Sequence, residues 1–196
     1  MAIEELWLLP WIPERGRVAV DVGANHGDWS RLLVERFDRV YAVEPNPSLY
    51  GLHAPNVVMI AYGAWNRQTV RSFAVYADDK HLSTHFFAGG INTGNPVAEV
   101  RLACLPLDDM IIEGPVDFIK IDVEGAEREV VEGARQMIAC HRPRLIIEMH
   151  TTGVRGPLQK ILVRWGYNDF TIVPHPLYEA GSELWHAHRW LICDAP

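Results

Sequence analysis

The stretch Val20–Ser30, "VDVGANHGDWS", sets an acid, Asp21, and two glycines, Gly23 and Gly27, between an apolar run and a helical pattern. A second acid, Glu44, closes the next apolar run, roughly 20 residues after Gly23. In an open α/β sheet these positions hold a nucleoside: glycines let the backbone approach the ligand, and the acid accepts hydrogen bonds from ribose hydroxyls. The glycine spacing separates the ligands. A dinucleotide turn needs G-x-G-x-x-G, and here the second and third glycine places carry Asn25 and Asp28. Asp28 would aim a carboxylate at the spot a pyrophosphate occupies. S-Adenosylmethionine has no phosphate, so the same carboxylate does it no harm, and Asp21 could bond the ammonium of its methionine part, directly or through water. The plain alternative is a tight turn with Asp28 capping the helix that follows.

A second group of residues could act on an acceptor. Asp122 ends the run "VDFIKIDV" (116–123), and His150 ends "RLIIEMH" (144–150). A carboxylate at a strand end can stabilise a sulfonium and orient a hydroxyl. Asp122 and its neighbour Glu124 are candidates for that work, although both would also suit the positive end of the following helix. An alcohol is a poor nucleophile until its proton is withdrawn, and a neutral imidazole within reach contributes roughly 10²–10⁴ in rate. His150 is the first candidate for that base. Asp122 or Glu148 would orient it, and Glu148, two residues earlier, points to the same face of the strand. Asp122, Glu148 and His150 also offer ligand atoms to Mg²⁺, but their spacing matches no metal motif and no metal is expected. His81, Ser83 and His85 lie in the polar, Gly-rich segment "DDKHLSTHFFAGGINTGNP", where a loop would cover the acceptor. His186 and His188 alternate along a run that reads as a terminal strand, and edge-strand surface positions account for them.

The elements that must position these residues alternate between strand and helix. Strands are expected over 17–23, 39–45, 57–65, 116–123, 144–150 and 169–175, with a last strand over 183–194. Helices are expected over 28–37, 46–54 (capped by Asn46), 125–141 and 156–166. Residues 69–77 and 98–106 alternate apolar and polar positions, as solvent-facing antiparallel strands do. This order predicts a single doubly wound, mostly parallel α/β sheet with an antiparallel last strand, interrupted by a β-hairpin and loop insertion between the third and fourth core strands. Ligands of such sheets bind beyond the carboxyl ends of the strands, where the strand order reverses.

The chain has 196 residues, enough for one full core, and carries a net charge of −7. That acidic balance argues against a phosphate-gripping surface, so no nucleic-acid partner is expected. Cys104, Cys140 and Cys193 form no C-x-x-C pair and read as reduced thiols of a cytoplasmic protein. The start, "MAIEELWLLPWIPERG", carries Glu4 and Glu5 where a signal peptide would be basic. Residues 1–16 therefore read as a short docking segment, with 17–196 as the domain. Trp7, Leu8, Leu9 and Trp11 could serve a homodimer contact. No run approaches the ~20 apolar residues of a membrane span.

Taken together, "DVGANHGDWS", "VYAVEPNP", "LDDM", "VDFIKIDVEGAEREVVEGA" and "RPRLIIEMH" resemble the FkbM family of S-adenosylmethionine-dependent methyltransferases over residues 17–150. The resemblance implies a class I methyltransferase fold with seven core strands. It implies methyl transfer to a hydroxyl of a saccharide or other small molecule. It places Asp21, Gly23, Ala24, Asn25 and Gly27 around the methionine and ribose, and Glu44 with Pro45 at the ribose. Asp122 would face the reacting end of the donor. Tyr62, Gly63 and Ala64 fall where the family edges the adenine, although Trp65 and Asn66 depart from the usual pattern there. The rival expectations are a methyltransferase on a macromolecule and a non-catalytic donor-binding module.

Overall fold

The computed structural model describes residues 3–46, 50–77, 82–86 and 98–194. A seven-stranded sheet forms its centre. The strands are β1 (Gly16–Val22), β2 (Phe37–Val43), β3 (Val57–Ile60), β8 (Val116–Ile121), β9 (Arg144–Met149), β10 (Asp169–Pro174) and β11 (Arg189–Asp194). Their spatial order is β10-β11-β9-β8-β1-β2-β3, and only β11 runs antiparallel to its neighbours. The order reverses at β1 and β8, which is where an open sheet of this kind leaves a crevice. β4 (Gly63–Ala64), β5 (Thr69–Ala77), β6 (Leu82–Phe86) and β7 (Ala98–Leu105) build a second sheet in the order β4-β7-β5-β6. This is the insertion expected between the third and fourth core strands.

The central strands are apolar on both faces, because helices and the N-terminal segment cover them. The helices are α1 (Ile3–Leu8), α2 (Asp28–Leu33), α3 (Glu127–Gly133), α4 (Arg135–His141), α5 (Arg155–Arg164) and α6 (Glu183–Ala187). One core gathers Val20, Ile119, Ile121, Val130, Ile138, Leu158 and Leu162; another, on the opposite side, gathers Leu8, Trp29, Leu33, Phe118 and Trp190. The N-terminal residues dock on their own domain: Leu8 and Ile12 are buried, and Leu9 and Trp11 pack beside them, while Leu6 and Trp7 stay exposed. Cys104 and Cys193 are buried and Cys140 is exposed, all three as free thiols.

Five elements differ from the sequence reading. The helix expected over 28–37 stops at Leu33, because Phe37 starts β2, pairs with Gly16 and stacks on Phe118. The strand expected over 57–65 breaks after Ile60, and Gly63–Ala64 joins the second sheet through β7. Residues 50–54 form no helix, while 47–49 lie outside the described residues. The run over 183–194 is split: Ser182 caps α6 by accepting the Trp185 N–H at 3.1 Å, and β11 begins only at Arg189.

The long helix expected over 125–141 is two helices that meet at Ala134. Asp108 caps the second by accepting the N–H groups of Gln136 and Met137 at 2.8 and 2.9 Å. The first ends at Gly133, where a side chain would run into the Trp65 carbonyl. This glycine lets α3 lie directly on the backbone leading out of β4. Gly133→Ala must separate the two, and we expect it to lower stability by about 1–3 kcal/mol, the usual range for overpacking, in urea unfolding followed by circular dichroism.

Candidate active site

Five strand ends bring the predicted residues to one rim. β1 runs into Gly23, β2 into Glu44, β3 into Ala61 and Tyr62, β8 into Asp122, and β9 into His150. The loop after β1 is tied to β2, since the N–H groups of Gly23 and Ala24 donate to the Val43 carbonyl at 2.9 and 3.2 Å. Gly23 has φ 74°, and a side chain there would collide with the Asp122 carbonyl. Only glycine tolerates both conditions. Asn25 follows with φ 47°, and Gly27 with φ 83° packs beneath the ring of Tyr50. Asp28 lies in the first turn of α2 but accepts no capping hydrogen bond there; Gly27 holds the cap position.

Glu44 is buried, and its two oxygens accept the backbone N–H groups of Asn25 (3.0 Å) and Asn46 (2.8 Å). It thus shapes both loops of the crevice. Burial raises its pKa above the ordinary carboxylate range, an effect the two N–H donors oppose. Each carboxylate oxygen has a second acceptor position, so ribose hydroxyls remain compatible with this pair. Pro45 lies beside it, half-buried.

Asp21 sits differently from its expected role. It is fully buried, accepts Ser30 Oγ at 2.7 Å and lies 3.2 Å from Lys120 Nζ. Its carboxylate therefore serves the interior and holds the loop through Lys120, rather than reaching a ligand ammonium directly. Lys120 was missed in the sequence reading. Its Nζ donates to the Gly23 carbonyl at 2.9 Å and lies 3.5 Å from Asp122 Oδ2. Burial opposes its charge, but Asp21 and Asp122 outweigh that and raise its pKa. The available signal was a lysine amid the apolar run "FIKI".

The acceptor side is a knot of carboxylates and imidazoles. His150 Nδ1 lies 2.7 Å from Glu127 Oε1, and Nε2 lies 3.6 Å from Asp122, 3.6 Å from Glu124 and 3.7 Å from Glu148. Glu127 is fixed in turn by the Gly125 N–H at 2.8 Å. Burial works against a charged imidazole here, but the bond to Glu127 and the fields of Glu124, Asp122 and Glu148 prevail, so the His150 pKa is pushed up to about 10. The sequence reading assigned His150 as a neutral base; among these carboxylates it carries its proton at neutral pH. Glu127 was also missed, its place in "EGAE" suggesting only helix capping.

His188 differs from its expected surface position. It is buried, its ring centroid is 5.2 Å from that of His150, and its Nδ1 is 3.9 Å from Glu148. Burial and the neighbouring His150 lower its pKa. His186 is the outward member of the pair and contacts Arg189. Of the adenine candidates, Gly63 and Ala64 are buried in the second sheet, and Tyr62 is exposed. Trp65 belongs to the core of that sheet, with Arg71 over its ring at 4.4 Å. His81 lies outside the described residues. Ser83 and His85 are on β6, paired with Tyr76 and Ala74, and their side chains are not described.

Strand order, glycine turn and rim define a class I methyltransferase architecture. Residues 21–171 match the methyltransferase FkbM domain model, and the chain belongs to that family. A 70-residue stretch, 36% of this chain and 25% of the relative, is 31% identical to a protein of Jannaschia sp. (strain CCS1) whose name places it among the methyltransferases. The crystal structure of methyltransferase FkbM from Methylobacillus flagellatus KT shares 21% identity at a TM-score of 0.59, covering 93% of this chain and 44% of that one. TYW2 of M. jannaschii, solved in complex with AdoMet, shares 14% identity at a TM-score of 0.53, covering 99% of this chain and 76% of that one. The chain thus spans less than half of the FkbM crystal structure. Among the described residues no helix is long and apolar enough to cross a membrane.

Lys120 generates a stability prediction. Lys120→Met leaves the buried Asp21 carboxylate without its counter-charge and should cost about 3–5 kcal/mol. Adding Asp21→Asn should recover part of that loss. Urea unfolding of the two single variants and the double variant measures the coupling.

Proposed function

We propose that this chain transfers a methyl group from S-adenosylmethionine to a hydroxyl of a small molecule, a saccharide or similar polyol. The observation that carries the donor half is Glu44: a buried carboxylate at the end of β2 that also holds both adjoining loops. Gly23, Ala24 and Asn25 would line the methionine and ribose, and Tyr62 is the exposed aromatic at the end of β3 that could meet the adenine. Family membership supports the reaction class.

The acceptor half rests on Asp122 and Glu124. Their side chains, 28% and 36% exposed, are the open members of the knot around His150. Carboxylates in that position accept hydrogen bonds from hydroxyls and so favour a polyol. In the reaction the acceptor oxygen forms a bond to the methyl carbon as the carbon–sulfur bond breaks. The bonding pair stays on sulfur, which becomes the neutral thioether of S-adenosylhomocysteine, and the hydroxyl proton passes to the Asp122 carboxylate and from it to water. Asp122 is the group proposed to accept that hydrogen bond and align the oxygen. His150, held as a cation, draws Asp122, Glu124 and Glu148 together and positions them.

Thermal unfolding with S-adenosylmethionine, S-adenosylhomocysteine and NAD tests the donor. A ligand at 100 times its dissociation constant adds about 2.7 kcal/mol, equivalent to roughly 5–10 °C at this chain length. The two adenosyl compounds should give that shift and NAD none; no shift with either adenosyl compound would overturn the reading. Glu44→Ala should weaken donor binding roughly 10–100-fold, in line with the loss of hydrogen bonds to a charged group, and Glu44→Gln less. Calorimetric titration with S-adenosylhomocysteine measures both. A saccharide panel with mass-spectrometric detection of O-methyl products tests the acceptor, and methylation of RNA alone would reject it.

A further inference from the structure

We propose that Glu148, His150 and His188 form a binding site for a divalent first-row transition-metal ion beside the donor crevice. The inference rests on the methyl-transfer reading for what the ion would do, and on geometry alone for the site. One ligand atom from each residue lies within 4.8 Å of the others, and all three residues are buried. His150 Nε2 and His188 Nδ1 are 3.7 and 3.9 Å from the same Glu148 oxygen. Ligands bound to such an ion at about 2.0–2.2 Å stand about 3.4 Å apart in a tetrahedral set, so the two contacts to Glu148 need to close by only a few tenths of an ångström, and the two imidazole nitrogens, within 4.8 Å of each other, must also draw together.

Sheet register makes this arrangement. Glu148 pairs with Trp190 and Met149 with Arg189 across β9 and β11. Continued by one residue, the antiparallel register brings His188 opposite His150. Glu148 and His150, two apart, share a face. Glu148 lies on β9, His150 directly follows that strand and His188 directly precedes β11, so two paired strands anchor the site at their ends.

The surroundings fit a ligand role. A metal-binding imidazole ordinarily donates its second N–H to a carboxylate, which fixes the ring and its tautomer. Glu127 Oε1, 2.7 Å from His150 Nδ1 and itself held by Gly125, occupies that place and leaves Nε2 facing the cluster, where the ion would displace the proton that the metal-free ring carries on Nε2. His175 Nε2 touches the same Glu148 oxygen at 3.6 Å, while its Nδ1 accepts the Leu177 N–H. Asp122 and Glu124 add negative charge on the open side; with His150 they form a second set of ligand atoms within 4.8 Å of one another. Two imidazoles with one carboxylate select manganese, iron, cobalt or zinc over magnesium and calcium, which prefer oxygen ligands. An ion here would have open positions toward Asp122 for an acceptor hydroxyl. It would acidify that hydroxyl, whose proton passes through Asp122 or Glu124 to water as the oxygen attacks the methyl carbon.

The full chain, without a histidine tag and stripped by chelator dialysis, would be titrated with Mn²⁺ and Co²⁺. One equivalent should bind per chain. His188→Ala and Glu148→Gln should abolish binding, Glu127→Gln should weaken it roughly 10–100-fold, and His186→Ala, at the exposed neighbour, should change nothing. Pulsed electron paramagnetic resonance of the Mn²⁺-loaded wild type should show coupling to imidazole nitrogen. That readout needs no variant and stands even where a substitution impairs folding. Absence of uptake or of nitrogen coupling overturns the site, as does wild-type affinity in folded His188→Ala. S-adenosylhomocysteine binding, measured on the same samples, keeps the two readings apart. Donor binding without metal uptake rejects the metal site alone, and metal uptake without donor binding rejects the methyl-transfer reading alone.

Discussion

The buried ammonium of Lys120 is the interaction on which the rim depends. It sits at the centre of the sheet and touches three things at once: the Asp21 carboxylate from β1, the Gly23 carbonyl from the first turn, and Asp122 from the end of its own strand. An unpaired charge at that depth would be prohibitive. Paired, it fixes the distance between the first turn and the acid that faces it. Asp21 is thereby tied into the interior, and its partner Ser30 carries the same network into α2.

Charge is distributed unevenly across the site. On the donor side, Glu44 is satisfied by backbone N–H groups and the electrostatics are nearly closed. On the acceptor side, Glu124, Glu127, Glu148 and Asp122 all surround His150. In the metal-free protein a protonated imidazole balances part of that field; a bound metal ion would take the place of its Nε2 proton and balance more. On the proposed function, the chemistry of transfer would fall to the β8–β9 half of the rim and recognition of the donor to the β1–β2 half.

Much of this was legible in the chain. Apolar runs ending in Gly23, Glu44, Asp122 and His150 identified the strand ends, because a strand buried on both faces has few ways to be spelled. The alternating runs at 69–77 and 98–105 exposed the second sheet equally well. What escaped was set by contacts remote in sequence. Whether Lys120 points inward depends on Asp21 lying one strand away. Whether His188 is buried depends on α6 ending at Ala187 and on the β9–β11 register. The need for glycine at 133 comes from the Trp65 carbonyl, nearly 70 residues earlier, lying where a side chain would go. Periodicity reports which face of an element is apolar, and says nothing of what a glycine is pressed against.

The missing side chain at Gly23 also governs how anything enters. The backbones of the first turn and of Asp122 are in contact there, and Lys120 clamps them from below. The two central strands have no slack between them, so no channel can open by parting the sheet. Anything that enters must therefore come in over the rim, where the strands end, and the floor beneath it stays the same whatever is bound.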